Sequence, residues 1–208
     1  MSATRAARTG VSRPPAVSQA GRAVGWWGMV MLIFTEATLF AVLLTSYFFI
    51  RFQSGPVWPP RGIDKPDLFL VSIMTPILLL SSAPMHWAAT GIRRGKIWRL
   101  RLGLLITFMM GATFLGMQAV EYHAILTEHF TPRTNAYGSL FLTITGFHGV
   151  HVLVGLLLNL WLQVYAGRGR FGAERHLAVE NVALYWHFVD AVWIFIFSSL
   201  YLSPYFWS

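Results

Sequence analysis

Five long apolar runs organise the chain, at Trp26 to Ile50, Leu68 to Thr90, Leu102 to Val120, Tyr137 to Tyr165 and Val182 to Leu202. At a rise of about 1.5 Å per residue, each is long enough to cross a hydrocarbon core of ~30 Å as a helix. The gaps carry turn-formers or charge: "SGPVWPPRG" from Ser54, "RRGKIWRLR" from Arg93, "TPRTN" from Thr131 and "GRGRFG" from Gly167. Only Pro76 and Pro84, in the second run, interrupt the helical pattern. The pattern predicts an all-α membrane protein, with a five-helix transmembrane bundle over residues 26–208 preceded by a basic tail over 1–25. No soluble domain, internal repeat or long linker is indicated.

Composition agrees with a polytopic membrane protein: 55% of residues are hydrophobic and 12% charged. The excess of base over acid, net +8, first suggests nucleic acid, but its distribution points elsewhere. With five crossings, the tail and the second and fourth loops share one side. That side holds Arg5, Arg8, Arg13, Arg22, Arg93, Arg94, Lys96, Arg99, Arg101, Arg168, Arg170 and Arg175, whereas the other has Arg51, Arg61, Lys65 and Arg133. Basic residues stay on the cytoplasmic side during insertion. The N-terminus is therefore expected inside and the C-terminus outside, and the charge is accounted for by topology and anionic headgroups, with no nucleic-acid partner. Trp58, Trp98, Tyr137, Tyr205 and Trp207 fall near the expected interfaces, as an aromatic belt requires. The apolar run after the tail is too long for a signal-peptide core and carries an acid. Cysteine is absent, which excludes disulfides, thiolate metal sites and cysteine nucleophiles.

The candidate chemistry lies in the few polar residues at depth, each of which costs a few kcal/mol in hydrocarbon unless it faces protein or a cavity. Glu36 stands about 15 Å into the first run, near the midplane, and Leu32, Ile33, Leu39 and Phe40 offer it no partner on its own helix. A carboxyl so placed is expected to be protonated, because desolvation penalises its charge. In "TGFHGVHVLVG", His148 and His151 lie three positions apart, about 60° around one helix, with Gly146, Gly149 and Gly155 leaving room for a close neighbour. Glu180 and His187 share one face of the fifth run, and Asp190 follows. His148 and His151 cannot clamp one haem between them, although either could do so with His187. No ligand set with an open catalytic position is evident and no metal site is assigned. No nucleotide loop, nucleophile elbow or zinc-protease helix is present. On the residues alone a channel, a transporter, a membrane haem protein and an interaction subunit all remain open.

Four segments resemble a known family, subunit III of the haem-copper respiratory oxidases in its short bacterial form. They are "FTEATLF" around Glu36, "GMQAVEYH" around Glu121, "AYGSLFLTITGFHGVHVLVG" with His148 and His151, and "ENVALYWHFVDAVWIFIFSSLY" from Glu180. They fall in order and cover roughly residues 26–202; the two extra helices that open the seven-helix members have no counterpart among the five runs. The resemblance implies a bundle with a V-shaped, lipid-binding cleft, packed against the catalytic subunit I and accompanied by subunit II, in a bacterial cytoplasmic membrane. It implies no cofactor in this chain beyond bound phospholipid, with haem and copper in the partner subunits. The role implied is that of a non-catalytic subunit of a cytochrome c oxidase, serving stability, proton uptake and resistance to turnover inactivation. A quinol oxidase, a nitric oxide reductase and membership of a respiratory supercomplex are further settings. Glu36 matches a carboxyl that reacts with hydrophobic carbodiimides, reagents that need the protonated acid. Glu121, His148, His151, Glu180, His187 and Asp190 are expected to form an interhelical polar network, the imidazoles and carboxylates pairing between the fourth and fifth helices. Arg168, Arg170, Arg175, Tyr185 and Trp186 are candidates for lipid contact.

Overall fold

The computed structural model describes residues 19–55, 58–59, 68–129 and 136–206, with the side chains of 19–23 and 128–129 outside that description. Most of the basic tail, together with Arg61, Lys65, Arg133 and Trp207, therefore lies outside the described residues. Among the described residues, five helices are long and apolar enough to span a membrane. They are α1 (Gln19–Gln53), α2 (Leu68–Arg93), α3 (Ile97–Ala124), α4 (Ala136–Gly167) and α5 (Leu177–Ile196). A π-helical turn, Ile125–His129, prolongs α3; another, Phe197–Leu202, carries α5 into the short α6 (Ser203–Phe206).

The helices begin or end several residues beyond the apolar runs, because hydropathy reads only the part immersed in hydrocarbon. Arg99 and Arg101 lie within the first turns of α3, and Glu180 within the first turn of α5. The prolines do not interrupt α2, which runs through both Pro76 and Pro84. A membrane helix tolerates proline when neighbours satisfy the freed backbone. Here Thr107 Oγ1 of α3 donates to the Ser81 carbonyl at 3.3 Å, next to the Leu80 carbonyl that Pro84 leaves without its helical donor.

The α2–α3 hairpin is the closest pairing, and glycine is what permits it. A Cβ on Gly103 would lie 2.6 Å from the Pro84 carbonyl oxygen and 2.8 Å from the Ala88 Cβ. Around this pair, α5 is the hub: it packs on α1, α2 and α4, while α4 also touches α1 and α3. Trp186 of α5 fills the centre, 1% exposed. A Cβ on Gly111 of α3 or on Gly155 of α4 would come within 2.7 Å of its ring. Near the ends of α1, α4 and α5, Trp58 and Tyr137 are buried against Tyr47 rather than turned to headgroups. Trp58 Nε1 donates to Tyr47 Oη at 2.9 Å. Of the described belt residues, Trp98 and Tyr205 remain exposed.

Candidate functional site

Glu36 is the middle residue of α1, and His151 stands at the middle of α4. The crossing of the two helices gives Glu36 the partner its own helix lacks: His151 Nε2 lies 3.0 Å from Glu36 Oε2. The other ring nitrogen settles the tautomer. His151 Nδ1 is 2.7 Å from the Phe147 carbonyl oxygen, which can only accept, so Nδ1 carries a hydrogen and Nε2 faces the carboxyl. One proton then lies between Glu36 and His151, as a carboxylic acid donating to a neutral imidazole or as a carboxylate accepting from an imidazolium. Both forms have the same net charge, which makes the pair tolerable at the midplane.

The surroundings hold the pair in place without closing it off. Phe40 packs edge-on against the His151 ring, with centroids 5.0 Å apart. Tyr185 of α5 donates its hydroxyl to the His151 carbonyl at 3.2 Å. Leu32, Glu36, Val150, His151, Val154 and Tyr185 line a pocket of about 170 Å³. The Glu36 side chain keeps 29% of its surface exposed there, against 11% for His151.

The remaining candidates do not join this pair. His187 and Asp190 turn toward α2, where Ser82 meets both. The Ser82 hydroxyl donates to Asp190 Oδ2, which leaves its oxygen to accept from His187 Nδ1 at 2.8 Å. Sequence reasoning missed Ser82, although adjacent serines at 81 and 82 deep in an apolar run were a usable signal. His148, fully buried, stacks on Trp193 at 4.8 Å and meets the edge of Phe114 at 5.8 Å. Glu121, 8% exposed, packs beside Tyr201. Glu180 accepts from Arg93 Nε at 2.6 Å, with His176 Nε2 at 3.3 Å from the same oxygen. The expected single network is thus a set of separate contacts. The α4 imidazoles do not pair with the α5 carboxylates, because the faces of α5 bearing these residues are turned to different neighbours.

Two lipid candidates also change character. Trp186 is sealed within the bundle and donates Nε1 to Ser81 Oγ at 2.8 Å, so neither its face nor its donor is available to a headgroup. Tyr185, 4% exposed, spends its hydroxyl on His151 and can only wall the Glu36 pocket. Arg168, Arg170 and Arg175 remain exposed, and the Arg170 guanidinium lies 5.1 Å from the Tyr165 ring centre. Among the described residues, no three His, Cys, Asp or Glu converge as a metal site.

Comparison with known proteins supplies what this geometry alone does not. The sequence model for "Cytochrome c oxidase subunit III" matches residues 17–208. The chain is 37% identical over 176 residues to "Cytochrome c oxidase subunit 3" of Thermostichus vulcanus, covering 84% of this chain and 85% of that protein. It is 34% identical over 180 residues to the Arabidopsis thaliana protein of the same description, covering 84% and 67%. Against the "Probable cytochrome c oxidase subunit 3" of Mycobacterium bovis the figures are 37% over 174 residues, covering 84% and 85%. The family-model match takes in the Glu36–His151 crossing and the α2–α5 contact alike, and on that breadth and the identity to these relatives the chain belongs to the cytochrome c oxidase subunit III family.

Proposed function

We propose that this chain is the accessory subunit III of a terminal cytochrome c oxidase, packed on subunit I alongside subunit II, with haem and copper held by those partners. In this reading it sits in a bacterial cytoplasmic membrane, with its tail inside and its C-terminus outside. It supports the stability of the complex, retention of lipid and delivery of protons, and carries no redox centre. The observation that carries the reading is the Glu36–His151 contact, an acid and an imidazole 3.0 Å apart at the middle of their helices beside an open pocket.

A role in retaining lipid draws support from a second cavity. Between α1 and α5, a wholly apolar groove of about 360 Å³ is lined by residues that include Ala37, Phe40, Leu44, Phe188, Ala191 and Phe195. Small side chains on both helices open it, and aromatic rings flank it. An acyl chain matches that surface because it asks for no hydrogen bond.

The test is removal. Oxidase purified from cells lacking this chain should show initial electron transfer close to that of the full complex, then lose activity during sustained turnover, and re-addition of the chain should restore endurance. Loss of haem reduction from the first turnover would instead place this chain in the electron path and overturn the accessory role.

A further inference from the structure

The densest basic segment, "RRGKIWRLR" at the junction of α2 and α3, has so far no role beyond topology. Gly95, at φ +71°, makes the turn. Arg93 is committed to Glu180, while Arg94, Lys96 and Arg101 are exposed. Arg99 differs from all of them. Gly91 lets its stem lie against the last turn of α2, where any Cβ would approach the Arg99 Cβ to 2.6 Å. Its guanidinium rests against two adjacent indoles, 5.7 Å from the centre of Trp87 and 5.5 Å from that of Trp98. The indoles meet edge to face at 5.4 Å. Nε is shielded from solvent and makes no hydrogen bond.

We propose that the α2–α3 turn binds the phosphate of an anionic phospholipid, with Arg99 as the fixed ligand and Arg94, Lys96 and Arg101 as the surrounding field. Cation–π contact fixes the plane of a guanidinium while leaving its in-plane donors free, and those donors suit phosphate in pairs. The first turn of α3 contains no acid, and its cap residue Lys96 makes no side-chain cap bond, so nothing in that turn competes for the cations. The occupant is a lipid rather than free phosphate because an apolar track begins beside the site. Ile97, Trp98, Leu102, Leu105 and Ile106 are all exposed along α3, offering a surface for acyl chains directly below a headgroup held at the interface. This inference stands whether or not the oxidase reading holds, since it needs only the membrane orientation of the hairpin.

The test is photolabelling of the intact chain, purified with its accompanying subunits, by diazirine-bearing phosphatidylglycerol or phosphatidylcholine in mixed micelles. Phosphatidylglycerol should label the peptide containing Trp98 in clear preference to phosphatidylcholine. Arg99→Gln should lower that preference by about fivefold or more, leaving only the share due to the surrounding charges. Combined Arg94→Gln, Lys96→Gln and Arg101→Gln, which leaves Arg99 untouched, should lower the preference by about fivefold per charge removed. Equal labelling by the two lipids, or a preference unchanged in the triple variant, would overturn the site. Displacement of the lipid by millimolar inorganic phosphate at constant ionic strength would show a free-anion site and would overturn it as well.

Discussion

Replacing Trp186 with alanine should cost the bundle about 3–5 kcal/mol, the range for deleting a buried indole. The indole occupies a slot whose walls are two glycines, Gly111 on α3 and Gly155 on α4. Neither glycine has a side chain that could lean into the vacated space, and the backbones are held apart by the surrounding contacts. Lipid tails are as apolar as the core, so the loss is one of van der Waals contact rather than hydrophobic transfer. Ser81 Oγ also loses the donor that now stands at 2.8 Å. Trp186→Phe, which refills part of the slot but restores no hydrogen bond, should fall between the two. Heat and SDS denaturation of the purified complex provide the measurement, with the midpoint falling in the order wild type, Trp186→Phe, Trp186→Ala. An alanine variant as stable as wild type would mean that α3, α4 and α5 do not meet around this ring.

Glu36→Gln should abolish carbodiimide labelling of this chain while the complex still assembles and transfers electrons. The amide keeps the shape of the carboxyl, and its NH2 can donate to His151 Nε2, the nitrogen left to accept when Nδ1 is bonded to the Phe147 carbonyl. The prediction depends on where the shared proton resides. A low dielectric favours the neutral acid and neutral imidazole over the ion pair, because two charges must otherwise be stripped of water. In that form Glu36 is the reactive protonated acid, and its exposed edge in the pocket admits the reagent. His151→Leu separates the cases further. If the acid is already protonated, labelling persists in that variant; if His151 holds Glu36 ionised, labelling appears only when His151 is removed. Peptide mapping that finds adducts at Asp190 or Glu180 and none at Glu36 would refute the protonated carboxyl.

The five helices were legible because hydrocarbon thickness sets a length that the apolar runs display directly. Their partners were not, because helix contacts are fixed by faces and not by order along the chain. Glu36 shows the difference. Its depth could be read from its position in the first run, but the partner that answers its charge comes from α4, more than a hundred residues away. His148 and His151 differ by only about 60° around one helix, which reads as a common face. Yet that angle suffices to aim His151 at α1 and His148 into the edge-to-face rings of Phe114 and Trp193. Gly155 was readable as a place of close approach, whereas Gly111 carried no such mark until Trp186 was seen to need both. Glu180 was expected to pair with an imidazole across the fourth and fifth helices and instead meets Arg93 at the end of α2. Proximity in sequence is a poor guide where short turns join helices of bilayer length.

This chain is proposed to work only as a redox-silent member of a larger oxidase. That role is tested most directly by affinity purification through a tag on this chain from respiring membranes, with subunit identification by mass spectrometry and absorption spectra of the separated polypeptides. Stoichiometric recovery of a larger haem- and copper-bearing polypeptide is expected, with all Soret absorption on that partner. Recovery of this chain alone, or with stoichiometric haem of its own, would contradict it.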